Sequence, residues 1–328
     1  MESRRFQVEV ERIGHEQALE YWTGASRTTV FTHPEVLART SREVHWWLAT
    51  ESGAPAWAWP VCIHADGRVA PPELCYYVGP FRIGPPERSP RKRLLRDVAV
   101  QHALLNALSR EYGCLAWSTM PGEHELRPWL WYGGDGRHPV ACPRYTAVLD
   151  ALGSATTEDL LRRFASDRRS DIRLAANRRP VLLPPASAGR IQELYRDTLA
   201  ATGAAEVAER RLAEVEALAG LAADGHGRVM TFGMGEDGIA RAVWIVLVAK
   251  GRACEALGAS DQAWRDSHLN AYGRLHCILA AQAMGADRYD FTGANSPQRG
   301  SDKHSYGAEP ELFFDLTFES SGADLYHP

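Results

Sequence analysis

One order of elements can be read twice along this chain: strand, helices, β-hairpin, strand, helix, strand. It points to an α/β (α+β) protein of two similar lobes, each a mixed sheet flanked by helices, with a cleft between them. The second run is the clearer. Helical patterns over Thr156–Phe164, Ser166–Asn177, Ser187–Thr202 and Ala208–Ala223 surround a short strand at Val181–Leu183. Val229–Met234 and Ile239–Val248 then form a hairpin across Gly235-Glu-Asp-Gly, followed by a strand at Ala253–Leu257, a long helix at His268–Met284 and strands at Arg288–Phe291 and Leu312–Phe318. In the first run, Phe6–Val10 alternates as a strand and Glu16–Trp22 is helical. Phe31-Thr-His-Pro turns into a helix with Thr32 or His33 as its cap and Pro34 at its first position. Strands are predicted at His45–Thr50, Ala56–Ile63, Tyr76–Phe81 and Leu115–Ser118, a helix at Arg91–Arg110, and a strand and turn at Pro128–Gly134. The expected division is 1–144, 145–318, and a tail at 319–328 packing back on the first lobe.

Composition narrows the class further. With 328 residues, 45% hydrophobic and 24% charged, the chain is an ordinary globular protein, long enough for two domains. Met1–Gln7 lacks the apolar core of a secretory signal, and the longest apolar run, Ala242–Ala249, is too short to span a bilayer. A soluble, cytoplasmic monomer without membrane insertion is expected. Six widely spaced cysteines suit thiols in a reducing compartment rather than a zinc cluster or a disulfide framework, and no HExxH suggests a catalytic metal. No GxxxxGKS, GxGxxG or GxSxG occurs, which removes the usual support for nucleotide hydrolysis, nicotinamide chemistry and a serine nucleophile elbow. Net charge is −4, so the surface as a whole is not built to coat nucleic acid.

The cations are distributed unevenly. Among 37 basic residues only Lys92, Lys250 and Lys303 are lysines, so each of these positions is a candidate for needing a compact ammonium. Lys303 stands in Gly285–Gly307. There the long helix ends, a four-residue strand follows, and the next fourteen residues are mostly Gly, Ser, Asn, Pro and charged types. That composition predicts a long loop between two strands, a usual place for a site. A second concentration, Arg162 to Arg179, is dense in arginine; helical spacing brings Arg162, Arg169 and Arg173 toward one face with Arg168 beside them. A polyanion such as an RNA 3′ end, or a diphosphate, would account for it.

Taken as an ordered set, these segments resemble the FemABX aminoacyltransferases and the related double-lobed GNAT-type acyltransferases. Tyr289-Asp-Phe-Thr-Gly, the polar stretch after it, and Lys303-His-Ser-Tyr-Gly are similar to their C-terminal signature. Phe31-Thr-His-Pro-Glu-Val-Leu resembles their opening helix. Trp129-Leu-Trp-Tyr-Gly-Gly with Pro143-Arg-Tyr-Thr-Ala-Val-Leu-Asp resembles the junction between lobes. Arg168-Arg-Ser-Asp-Ile-Arg-Leu-Ala is similar to the family's basic helix, and Glu255-Ala-Leu-Gly-Ala-Ser-Asp to the strand and turn before its long helix. There is no inserted coiled-coil hairpin, so the likeness is to compact members. The acetyl-CoA signature Q/R-x-x-G-x-G/A is broken, Arg265-Asp-Ser-His-Leu-Asn lacking its central glycine.

The resemblance implies transfer of an aminoacyl group from aminoacyl-tRNA, as co-substrate, to the amine of a peptide, cell-wall precursor or natural-product intermediate, with no bound cofactor and no metal. It places Lys303 at the acyl ester and terminal adenosine, with Tyr306 stacking nearby. Asp290 joins them as a catalytic candidate. The donor tRNA would be bound by Arg168, Arg169, Arg173, Lys303 and His304. Tyr76, Tyr77 and Phe81, with Asn295 and Arg299, are expected to bind the acceptor. For proton removal Asp290, His304, Asp302, Glu255 and His268 stay open, as does a relay through substrate groups without a dedicated base. Two other functions stay open beside this one: an acyl-CoA-dependent N-acyltransferase acting on an amino sugar or small metabolite, with acetyl-CoA as donor, and a non-catalytic RNA- or ligand-binding module. Trp46, Trp47, Trp57, Trp59, Trp129 and Trp131 are expected to pack the first lobe and the cleft.

Overall fold

The computed structural model describes residues 6–85, 88–133 and 137–319. In chain order the elements begin with β1 (Val8–Ile13), α1 (His15–Gly24), α2 (Pro34–Thr40), β2 (Glu43–Glu51), β3 (Ala54–Ile63) and β4 (Phe81–Arg82). They continue with α3 (Pro90–Glu111), β5 (Cys114–Ser118), α4 (Arg127–Leu130), β6 (Val140–Leu149), α5 (Thr157–Arg163), α6 (Ser166–Asn177) and β7 (Pro180–Leu183). The rest are α7 (Ala188–Ala200), α8 (Ala205–Leu221), β8 (Gly227–Met234), β9 (Ala242–Ala249), β10 (Arg252–Ser260), α9 (Leu269–Ala283), β11 (Arg288–Gly293), α10 (Pro297–His304) and β12 (Glu309–Glu319). Two units result, 1–144 with 312–328, and 145–311. The last strand, expected wholly in the second lobe, belongs from Leu312 onward with the first. The reason is its ladder: Asp315–Glu319 pair antiparallel with Ser118–Cys114 of β5. The expected tail lies, from residue 320, outside the described residues.

In the first unit β1, β2, β3 and β4 form one antiparallel sheet in that order. Trp47, Trp57 and Trp59 from its strands bury with Leu104, Leu105 and Leu108 of α3 and with Trp117 and Trp129, the Trp59, Trp117 and Trp129 rings meeting edge to face. Pro34 opens α2 as expected, and His33 Nδ1 accepts the Glu35 N–H. Three expectations fail here. The strand at Pro128–Gly134 is instead the short helix α4, with Pro128 in its first turn, and Gly134 lies outside the described residues. The strand at Tyr76–Phe81 shrinks to β4, because Tyr77 takes a left-handed φ of +59° that no extended strand tolerates. Trp131 is not packed: it is 55% exposed, with the Arg127 guanidinium over its ring.

The second unit contains a parallel pairing. Antiparallel ladders join β7 to β8, β8 to β9, β9 to β10 and β11 to β6, while β10 and β11 run parallel. β9, Ala-Val-Trp-Ile-Val-Leu-Val-Ala, is buried along its first six residues, as an unbroken apolar run in a central strand should be. The helix α9 approaches it so closely that a Cβ at Gly273 would stand 2.3 Å from the Trp244 ring. A Cβ at Gly258 would meet the pyrrole end of the same indole, 2.8 Å from Nε1, so the ring is crowded at both ends. Gly273→Ala therefore sets a helix-propensity gain of about 1 kcal/mol against over-packing of about 1–3 kcal/mol. Net destabilisation is expected in urea melts, and a variant as stable as the parent would contradict this packing. Among the described residues no helix is long and apolar enough to cross a membrane, and no group of His, Cys, Asp and Glu side chains could hold a metal ion.

Candidate active site

The parallel ladder of β10 and β11 is short. It runs through Arg252/Arg288, Ala253/Tyr289 and Cys254/Asp290, and then stops. At that point β10 bulges against β9, between Glu255 and Leu257. β11 turns at Thr292, whose φ of +57° is rare for a β-branched residue and costs roughly 1–3 kcal/mol. Side chains hold the turn in place. The Thr292 N–H donates to Asp290 Oδ1 at 2.8 Å and its hydroxyl to the Glu255 carbonyl at 3.0 Å. The twist aims two carbonyls at one partner: Lys303 Nζ donates to Thr292 O at 3.1 Å and to Gly293 O at 2.7 Å.

Lys303 lies on a helix, not on the long loop expected from composition. Ser296 Oγ accepts from the Arg299 N–H and Pro297 opens the first turn, so a Ser-Pro start turns the polar stretch into α10. The Lys303 side chain is 9% exposed. Burial lowers its pKa to about 8, against the opposing pull of Glu255 and Asp290. The third ammonium hydrogen has no acceptor among the described residues.

A charged network locks the surrounding elements together. Arg274 of α9 donates to both carboxylate oxygens of Glu255, at 2.9 and 3.0 Å, and to Asp302 of α10 at 2.5 Å. Arg168 of α6 reaches Asp302 at 2.9 Å, Ser305 Oγ at 3.0 Å and Asp171 at 3.3 Å, and Asp171 meets His268 Nδ1 at 3.0 Å. Burial works to raise the Asp302 pKa, but Arg274 and Arg168 hold it below its ordinary value. Tyr289 donates its hydroxyl to Glu255.

Several predicted site residues converge here in different roles. Tyr306 is fully buried between Phe164 and Phe291, with the Arg168 and Arg274 guanidinia over its ring, so it cannot stack on a ligand from outside. Burial raises its pKa to about 12, and its hydroxyl has no hydrogen-bond partner among the described residues. Asp290 is wholly buried and holds Thr146 Oγ1, Arg252 Nη2 and the Thr292 N–H, an anchor rather than an open base. His304 Nδ1 lies 2.7 Å from the Ala308 carbonyl. Asn295, exposed, accepts the Tyr145 N–H, and Arg299 is exposed on α10. Of the proton acceptors left open, Glu255, Asp302 and His268 are all engaged in ion pairs.

Tyr76, Tyr77 and Phe81 belong to the first unit. Tyr77 and Phe81 are buried, and Tyr76 is half-buried against Phe31. The arginine segment is not one helix: α5 ends at Arg163 and α6 starts at Ser166, so Arg162 does not share a helical face with Arg169 and Arg173. The residues that sequence reasoning missed are Arg274 and Thr292. A lone arginine among the buried positions of α9 was a usable signal; nothing in Asp-Phe-Thr-Gly announces a left-handed threonine.

At the start of α9, His268 takes a left-handed φ of +58°, the conformation a glycine would favour. The first helical N–H, from Leu269, is taken by Ser267 Oγ, and that of Ala271 by the His268 carbonyl. Two donors that a helix N-terminus would offer a pyrophosphate are thus occupied.

Residues 153–300 match the model of the acetyltransferase (GNAT) domain. The structure of FemX superposes with a TM-score of 0.60 over 93% of this chain and 96% of that one, at 12% identity. A tandem GNAT protein from the clavulanic acid biosynthesis pathway gives 0.57 over 97% and 100%, also at 12% identity. The fold is the tandem GNAT fold of these proteins. The GNAT fold also relates the chain to the C-terminal domain (DUF2156) of a candidate lysylphosphatidylglycerol synthetase from Agrobacterium fabrum, with a TM-score of 0.52, 12% identity, and 93% and 92% of the chains covered. No curated protein matches the sequence. In this GNAT acyltransferase fold the matched domain contains the β10/β11 parting, Arg274 and the start of α10, and ends three residues short of Lys303.

Proposed function

We propose that this chain forms amide bonds, moving an aminoacyl group from aminoacyl-tRNA to the amine of a peptide, cell-wall precursor or natural-product intermediate. One observation carries the reading: a buried ammonium, Lys303, is held by two carbonyls where β10 and β11 part, with one N–H left to give. The acceptor nitrogen attacks the ester carbonyl carbon, negative charge grows on the carbonyl oxygen, and the bond to the ribose oxygen breaks. A fixed cation in a dry site stabilises that oxygen more in the transition state than in the ester. The proton leaving the nitrogen goes to the departing ribose oxygen through substrate groups, since Asp290, Glu255, Asp302 and His268 are held by partners and His304 Nδ1 is held at the Ala308 carbonyl. Likeness of fold to FemX and to the synthetase domain supports this choice of donor.

The match of 153–300 to an acetyltransferase domain favours a second reading, with acetyl-CoA as donor. The occupied N–H groups at Leu269 and Ala271 weigh against it. Incubation of the protein and a panel of amines with labelled aminoacyl-tRNA or labelled acetyl-CoA separates the two. Transfer from charged tRNA that RNase abolishes is the expected result; transfer from acetyl-CoA alone would overturn it.

The ionisation of Lys303 adds a pH dependence. The ammonium is present below its pKa of about 8 and lost above it, so the electrostatic role predicts a rate that falls as pH rises through that value. Corrected for ionisation of the acceptor amine, a rate that instead climbed through the same region would make Lys303 a proton acceptor and contradict its role as a fixed cation.

A further inference from the structure

A cavity of about 260 Å³ opens between α5 and α6, lined by Leu161, Arg169, Ile172 and Arg173. The geometry points to a nucleotide site: a flat base against Leu161 and Ile172, its phosphate between the guanidinia of Arg169 and Arg173. This assignment rests on the acyl-donor reading above and deepens it, giving the donor's nucleotide end a place.

Four neighbouring arginines are already engaged by side chains or carbonyls. Arg162 pairs with Asp159, Arg163 donates to the Asp150 carbonyl, Arg168 is held by Asp302 and Asp171, and Arg178 donates to the Asp266 carbonyl. Arg169 makes one bond, from Nη1 to the Phe164 carbonyl at 2.5 Å, which fixes its plane and leaves its other donors open. Arg173 is exposed and has no partner among the described residues. Two guanidinia with donors left open and no acidic side chain in the lining favour an anion. The floor is apolar, with Ile172 buried and Leu161 half-buried. Inorganic phosphate would leave that floor in water, whereas a base would cover it, and a guanidinium plane stacks on a base face. The volume lies just under the 300–1,000 Å³ usual for whole small-molecule pockets, which suits one nucleotide unit of a larger donor.

Such a nucleotide could be the 3′ end of an RNA or the nucleotide half of coenzyme A, and the probes distinguish them. Binding of a 5′-phosphorylated CCA trinucleotide, of coenzyme A and of pyrophosphate would be measured by calorimetry on the whole protein, its R169Q/R173Q variant and its K303M variant. Trinucleotide binding is expected to weaken at least about tenfold in R169Q/R173Q, with the slope of log affinity against log salt reduced by about 2. K303M should fail to transfer, whatever it retains of trinucleotide binding. Neither arginine is buried, so thermal melts should coincide. Preference for coenzyme A, with the same loss in R169Q/R173Q, would keep the nucleotide site and overturn the RNA donor. Equal affinity for pyrophosphate and trinucleotide would reduce the site to an anion hole and overturn the base-binding claim. Unchanged binding in R169Q/R173Q, in a protein that still transfers from charged tRNA, would overturn the cavity assignment alone. Binding lost in R169Q/R173Q, in a protein that transfers from no donor, would overturn the acyl-transfer reading alone.

Discussion

Lys303→Met should lower single-turnover amide formation by about 10²–10³-fold, the usual cost of removing one preorganised donor from a developing oxyanion. Stability should change far less. The thioether keeps most of the apolar stem in place but leaves the Thr292 and Gly293 carbonyls without their donor, a loss of about 1–3 kcal/mol. Against that, the chain no longer has to bury an ammonium, which costs free energy of the opposite sign. The two effects largely cancel in a thermal melt, whereas nothing replaces the cation at the reacting oxygen. Turnover within about twofold of the parent would remove Lys303 from the chemistry.

Arg274→Met should produce the largest loss of stability. Arg274 is the shared partner of Glu255 on β10 and Asp302 on α10, and Glu255 is 5% exposed. Removing one member of a buried pair leaves the other charge without compensation, at about 3–5 kcal/mol. The accompanying Glu255→Gln change should return part of that loss, because a neutral amide can stay buried where a lone carboxylate cannot. Urea unfolding of the two single variants and the double variant measures the coupling. Additive losses would show that the guanidinium and the carboxylate do not depend on each other, against the bidentate geometry. Since the same arginine anchors α10, Arg274→Met should also impair turnover through the position of Lys303.

Much of the frame was legible because burial writes itself into periodicity. Val229–Val248 announced a hairpin, the apolar face of 268–284 announced α9, and Ser166–Asn177 matches α6 to the residue. Failures came where a local rule was overridden. The Gly, Ser and Asn around Lys303 looked like loop, yet Ser296 and Pro297 start a helix that burial of Lys303 and Gly300 completes. Tyr77 and Thr292 adopt left-handed backbones that no side-chain pattern signals, and the second of them shapes the site. Lysine scarcity singled out Lys303, which the structure buries against two backbone carbonyls. The role expected of Tyr306 could not be judged from spacing, since only packing against Phe164, Phe291 and two arginines reveals that it is enclosed. Asp290 posed the same difficulty, an alternating position on a short strand that turns out to hold Arg252 and Thr146.

Because the chain has only Lys92, Lys250 and Lys303, NMR of protein made with isotopically labelled lysine can follow each side chain by itself, with assignments from single substitutions. The decisive measurement is the titration of the Lys303 resonance, alone and with a phosphonate analogue of the tetrahedral adduct. An ammonium facing the reacting oxygen should titrate near its lowered value of about 8 in the unliganded protein and shift upward when the analogue's negative charge arrives. A midpoint that does not move when the analogue binds would contradict the account.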